Sequence, residues 1–314
     1  MLRAHTRSRG LGAAAGGPSL WDYDLTTGTL PPVLAVTRGT TATRVNASGL
    51  IVVEAANTPR FDFNPESLVC RGLLLEPQRT NFSTNSASAE SWVGANVAVV
   101  ANSVIAPDGA LVADAVNATA VNASHYIGPA AFSMTAGQAY CFSIYAKAGA
   151  IGFIQILGLS NISGSSTYYA NFNLSTGAVG ANGGGFSGVS ITPLGGGWYR
   201  CSVVGVATSN TSGRFGVSML LGDNAARAPS FLGDGTSGVY LFGAQTEQAY
   251  MSTYIPTAGS ATTRDADVLT LLDTSRAVEI TYQPLADGVA QTVQVAAGAQ
   301  PSSIYGWVTR VRQL

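Results

Sequence analysis

The sequence predicts an all-β protein: a jelly-roll-like antiparallel sandwich, with an N-terminal β-strand attachment region and a small C-terminal β tail. Three observations predict it. Short stretches of alternating apolar and polar residues recur along the chain. Gly-, Asn-, Asp- and Pro-rich turns separate them at irregular intervals. No stretch carries the apolar spacing of an amphipathic helix, and no repeat period marks a solenoid. Roughly eight to ten strands at such spacing fit a sandwich or barrel.

The divisions follow composition. Residues 1–20 form a flexible arm, basic at first and then rich in Gly and Ala. Residues 21–80 read as a β attachment region. Trp21, Tyr23 and Leu25 alternate before a turn at Thr27-Gly28, and a strand covers Val33 to Arg38. The turn Asn46-Ala47-Ser48-Gly49 joins two strands as a hairpin, and Phe61 and Phe63 share a face. These strands are short and polar between their anchors, so the region needs a partner surface. Arg71-Gly72-Leu73-Leu74-Leu75-Glu76-Pro77 is the seam. Its leucines form a buried strand, and Pro77 ends the strand because it lacks a ladder donor.

Residues 81–272 hold the sandwich. Trp92–Val100 and Ala110–Val116 flank the turn Pro107-Asp108-Gly109. In Tyr140–Lys147, Tyr140, Phe142, Ile144 and Ala146 face one way and Cys141, Ser143, Tyr145 and Lys147 the other. Phe215, Val217, Met219 and Leu221 mark a further alternating strand. Residues 273–314 form the C-terminal β tail, either a separate module or strands that complete the others.

Composition limits the function classes. Only 11% of the 314 residues are charged while 46% are hydrophobic, against roughly 25% charged in ordinary soluble proteins. Such a chain folds, and hydroxyls and amides solvate its surface. A net charge of −1 supplies no field for nucleic acid. No run of apolar residues is long enough for a membrane span, and Gly10–Pro18 is no signal-peptide core. A chain with an extracellular character and no export signal fits release by lysis within a virus particle. Cys70, Cys141 and Cys201 are odd in number and widely spaced, and read as buried thiols without disulfides or zinc.

The chemistry-bearing residues do not form a catalytic motif. His5 and His125 are far apart. Gly185-Phe186-Ser187-Gly188-Val189 lacks the second glycine of a nucleophile elbow. A glycosidase needs only two carboxylates, for which Glu90, Asp108, Asp114, Asp223, Asp234 and Glu247 are available, most of them at turns where Asp caps its own backbone. Sugar binding needs aromatic faces with polar neighbours. Tyr126, Tyr168, Tyr169 and Trp198 are the candidates. Tyr168 and Tyr169 are adjacent in a strand, so one of them points away from the core. At the seam, Glu76, Arg79 and Asn81 read as junction residues, with Glu76 and Arg79 tying the junction together by hydrogen bonds or a salt bridge.

Several stretches together resemble the phage head-spike/fibre domain family. Asn57-Thr58-Pro59-Arg60-Phe61-Asp62-Phe63 and Arg71 to Asn81 resemble the segment entering that domain. Pro107-Asp108-Gly109 resembles its first hairpin, Gly197-Trp198-Tyr199-Arg200-Cys201-Ser202-Val203 a central strand, and Gly233 to Gln245 the last strand. Tyr254-Ile255-Pro256-Thr257 and Thr263-Arg264-Asp265-Ala266-Asp267-Val268 resemble the exit. The resemblance covers residues 21–272. It implies a virion structural protein of a tailed phage or a related gene transfer agent, with no enzymatic activity of its own. It implies a carbohydrate-binding-module-like jelly roll that adheres to host-surface glycan, mounted on other virion proteins through the N-terminal region, as a homo-oligomer, typically a homotrimer. Modules of this type also hold structural calcium near the domain entry and exit, and by position the ligands to test are Glu76 and Glu247. The alternatives on the same scaffold are a glycan depolymerase and a purely architectural joint.

Overall fold

A computed structural model describes residues 20–162, 166–285 and 288–314. The basic arm over 1–19, His5 included, lies outside the described residues. Within them the protein is almost wholly antiparallel β, and helix is limited to the 3₁₀ turns Leu25–Thr27 and Ala89–Ser91.

Two six-stranded antiparallel sheets form the sandwich. The first runs in the order Ser187–Gly195, Trp198–Val206, Ala139–Ala148, Gly238–Gln248, Leu111–Ala118, Val97–Ile105. The second runs Ala178–Asn182, Tyr169–Asn173, Phe153–Gly158, Phe215–Leu220, Tyr126–Gly128, Val93–Ala95. The chain crosses between the sheets several times, which gives the sandwich its jelly-roll-like character. The predicted period-2 faces meet in the core. Tyr140, Phe142, Ile144 and Ala146 from the first sheet pack on Ile154, Ile156, Phe172, Phe215, Val217 and Met219 from the second. Burial of this apolar surface is the main term holding the sheets together. Two details differ from the expectation. The strand from Phe215 ends at Leu220, and Leu221 is exposed. Between residues 121 and 134 the chain forms only the short strands Asn122–Ala123, Tyr126–Gly128 and Phe132–Ser133. The turn between Ser187–Gly195 and Trp198–Val206 is made by Gly195, Gly196 and Gly197, all with positive φ (83°, 60° and 79°), a backbone that side chains disfavour.

The tail is not a separate module. A third sheet runs Gln291–Val295, Val278–Pro284, Gly306–Gln313, Cys70–Leu75, Phe61–Phe63, with Asp22–Asp24 also paired to Gly306–Gln313. Segments on either side of the sandwich therefore share one sheet and one core, in which Leu25, Leu73 and Leu75 pack against Val278, Ile280, Val308 and Val311. Val33–Arg38 belongs here too, since Leu34–Thr37 pairs with Val268–Leu271. This explains how short, polar N-terminal strands fold: the partners of Asp22–Asp24, Leu34–Thr37 and Cys70–Leu75 lie far along the chain, in Gly306–Gln313 and Val268–Leu271. The seam is a strand as predicted, with Leu73, Leu74 and Leu75 no more than 1% exposed. Gly72 is required where this strand meets Gly306–Gln313. Its φ is 120°, and a Cβ there would lie 2.4 Å from the Val308 carbonyl oxygen.

Candidate functional site

The first sheet has a second face, opposite the sandwich core, and it is covered. Tyr145, Trp198 and Phe242 point outward from it and pack with Ile51, Ala106 and Tyr254. The terminal-strand unit and the segment after Gln248 close over this face. A cluster of buried charges fastens them.

Glu76 leaves the seam strand fully buried. Its Oε2 accepts from Arg60 at 2.8 Å, Arg264 at 2.5 Å and the Thr253 hydroxyl at 2.6 Å, while Oε1 accepts the Thr253 backbone N–H at 2.8 Å. Asp267 accepts from Arg38 at 2.8 Å, from the Glu76 backbone N–H at 2.9 Å, and from Arg60. All five side chains are at most 1% exposed. Burial alone would raise the Glu76 pKa, but Arg264 and Arg60 outweigh it and bring the group down to about 2. Three arginines face two carboxylates, so each carboxylate is fully engaged, as a buried ion must be. Asn81 supplies the neutral part of the fastening. Its amide donates to the Ala244 and Ile255 carbonyls and its oxygen accepts from Ser83 and Thr246 N–H.

Of the three residues read at the seam, Glu76 and Asn81 make these buried bonds, and Arg79 lies apart from them. Arg79 does not pair with Glu76. Its guanidinium stacks 4.0 Å from the Tyr250 ring centroid and donates to its neighbour's carbonyl, that of Gln78. The partners of Glu76 are Arg60 and Arg264, more distant in sequence. Both lie in the two stretches quoted above as entry and exit, the one signal in the sequence that points to them.

Glu76 and Glu247, the residues to test as calcium ligands, each have both carboxylate oxygens engaged by protein donors. The oxygens of Glu76 are filled by two guanidinium groups and Thr253, surroundings that repel a cation. Glu247 accepts from Gln245 at 2.7 Å, from the Ser252 N–H at 2.9 Å and from the Ser252 hydroxyl. Burial raises its pKa against these hydrogen bonds. Among the described residues no group of three or more His, Cys, Asp or Glu is placed to hold a metal ion.

The other carboxylates are dispersed, except that Asp114 and Glu90 lie within hydrogen-bonding reach of each other. Asp108 and Asp234 cap their own turns, as expected at such positions. Asp223 accepts from Asn173 at 3.2 Å. Asp114 is buried and accepts the backbone N–H groups of Ala89 and Asn102 at 2.6 and 2.9 Å. Burial raises its pKa, and a hydrogen bond with Glu90 raises it further. It pins a bulge beside Asn102, whose φ is 53°, on an edge strand where such a bulge discourages pairing with other chains.

The aromatic candidates separate. Trp198 is 5% exposed and donates its indole N–H to the Ile105 carbonyl at 3.1 Å; its faces are taken by packing, which corrects its reading as a sugar contact. Tyr168 packs on the sandwich core, edge-on to Phe186 at 5.5 Å. Tyr126 and Tyr169 are half-buried and share the outer face of the second sheet, because their neighbours Ile127 and Ala170 point into the core. Their strands are three steps apart, about 14 Å at the usual strand spacing. Between them the residues Ser218, Gln155 and Asn171 are buried, and the last two bond to the segment 223–228 that crosses the face. The two tyrosines are therefore separate contact points.

One open cavity, of about 180 Å³, lies where the terminal-strand unit meets the outer face of the first sheet. Arg200, Tyr145 and Ser252 contribute from the sandwich side, and Asp62, Arg71, Arg44 and Trp307 from the other. Arg200 is 8% exposed, lies over the Tyr145 ring, and donates to the Ser143 hydroxyl and the Ser252 carbonyl. Asp62 accepts from the Val45 N–H at 2.8 Å and the Trp307 indole at 2.9 Å, and burial raises its pKa. No family model matches the chain, and no curated protein matches it significantly.

Proposed function

We propose that this chain is a structural virion protein of a tailed phage, a spike or fibre subunit that mounts a jelly-roll-like sandwich and presents it to host-surface glycan. One observation carries the reading. Asp22–Asp24, Phe61–Phe63 and Cys70–Leu75 share one sheet with Val278–Pro284, Gln291–Val295 and Gly306–Gln313, so segments before and after the sandwich belong to one unit and the sandwich is a long insertion within it. That arrangement supports the reading of a mount and a displayed head. The buried cluster around Glu76 holds the two in fixed orientation. On this reading the mount carries the contacts of a homotrimer with other virion proteins.

Purified full-length protein is tested by light scattering and by binding to host cells. A trimer that binds cells, and whose binding is competed by host polysaccharide, supports the reading. A monomer that leaves cells unlabelled contradicts it. Release of reducing ends from the polysaccharide would instead make the protein a depolymerase.

A further inference from the structure

The cavity between mount and head has a composition that the fastening does not need. Arg200 stands on strand Trp198–Val206 directly opposite Tyr145, facing away from the core. Its side chain is more than nine-tenths buried, and among the described residues it makes no direct ion pair; the buried Glu247 carboxylate acts on it only at longer range, through Ser252. A guanidinium has five N–H donors. The Arg200 Nε and Nη2 bonds both end on Ser143, and its Nη1 bond ends on Ser252. One hydrogen on each terminal nitrogen is left over, and the group lines an open cavity. A buried cation with spare donors is costly unless an anion completes it.

The opposite wall has different chemistry. Asp62 accepts one hydrogen bond on each oxygen, leaving further lone pairs for donors. Beside it the Arg71 guanidinium lies 4.9 Å from the Trp307 ring centroid, a flat surface with an apolar part. Arg71 forms no salt bridge among the described residues. A ligand matching both walls has a carboxylate at the Arg200 end, hydroxyl donors at the Asp62 end, and C–H surface between them. A free phosphate offers the first feature alone, and a neutral sugar only the other two.

We propose that this cavity binds a carboxylated sugar, a uronic acid residue of an acidic polysaccharide. Arg200 takes the carboxylate, Asp62 the hydroxyls, and Arg71 with Trp307 the ring. The inference rests on the glycan-adhesion reading above and names its ligand class. A carboxylate held by paired guanidinium donors gains specificity as well as affinity. The volume fits one sugar ring, so recognition falls on a chain end or a side branch.

The test is calorimetric titration of the full chain with sodium glucuronate, glucose and inorganic phosphate in parallel. Saturable glucuronate binding is expected, with glucose and phosphate each at least tenfold weaker. Arg200→Gln is expected to weaken glucuronate at least tenfold. Because Arg200 is buried and that variant risks misfolding, Arg71→Ala, at a half-buried position outside the charge cluster, is measured beside it and is expected to weaken binding severalfold while leaving the melting curve unchanged. Equal binding of phosphate and glucuronate would overturn the sugar assignment. No glucuronate binding, or binding unchanged in both variants, would overturn the site. Cell binding separates the two levels of inference. Cells bound but not competed by glucuronate sink this site and leave adhesion standing, whereas glucuronate bound by a protein that ignores cells sinks adhesion.

Discussion

Glu76→Gln keeps the shape of the side chain and removes its charge. Three buried arginines then face one carboxylate instead of two, and Arg264 loses the one ion pair it makes among the described residues. Removing one partner from a buried pair costs about 3–5 kcal/mol. The depressed carboxyl gives an independent figure. Lowering Glu76 from its ordinary 4.5 to about 2 corresponds to roughly 3 kcal/mol at about 1.4 kcal/mol per pH unit. The two figures are of the same order. The sign also follows. A carboxyl with a depressed folded-state pKa stabilises fully above its unfolded value, and that contribution is lost as pH falls through the folded value. Urea unfolding of wild type and Glu76→Gln at several pH values should show a gap of about 3 kcal/mol near neutrality that closes progressively between pH about 4.5 and about 2. Subtracting the variant removes the opposite contributions of Asp62 and Glu247, whose raised carboxyls favour folding at lower pH. A neutral-pH gap below about 1 kcal/mol, the range of an exposed pair, would refute the reasoning, as would a gap that does not shrink on acidification.

Other outcomes follow from the same structure. Asn81→Ala breaks four buried hydrogen bonds and should cost about 2–4 kcal/mol in chemical denaturation, more than a change at exposed Gln78. Gly72→Ala forces a side chain into a left-handed φ and against the Val308 carbonyl; about 1–3 kcal/mol of strain should appear as a lower melting temperature. In the native protein a thiol reagent near pH 8 should label half-buried Cys70 first. Cys141, pushed up to about 12 by burial, and buried Cys201 should react only on unfolding, as mass spectrometry of timed samples would show. Trp198→Ala should destabilise by about 3–5 kcal/mol, whereas Tyr169→Ala should leave the melting curve nearly unchanged.

The sandwich was legible because its signals are local. Alternation in Tyr140–Lys147 identified both faces of a central strand, and Asn46-Ala47-Ser48-Gly49 marked the hairpin formed by Ala42–Val45 and Ile51–Glu54. The pairing of the termini was not legible. Nothing near Asp22–Asp24 or Cys70–Leu75 specifies a partner in Gly306–Gln313, because strand pairing over such separations is set by the whole core rather than by turn chemistry. Arg79 illustrates the same limit. It is three residues from Glu76 and of opposite charge, yet the strand direction carries it to Tyr250, and residues brought in from positions 60 and 264 take its place. The cavity was invisible for the same reason. Arg200 looked like one residue of a core strand, and only the arrival of Asp62, Arg71 and Trp307 opposite it reveals a site.

If the terminal strands mount the sandwich for display, as proposed, a cryo-electron microscopy reconstruction of the assembled particle will show it. The sheet containing Asp22–Asp24 and Gly306–Gln313 should be buried against neighbouring virion proteins, with the sandwich and the Arg200 cavity facing solvent. A sandwich buried in the particle with its terminal sheet free, or particles that lack the chain, would contradict it.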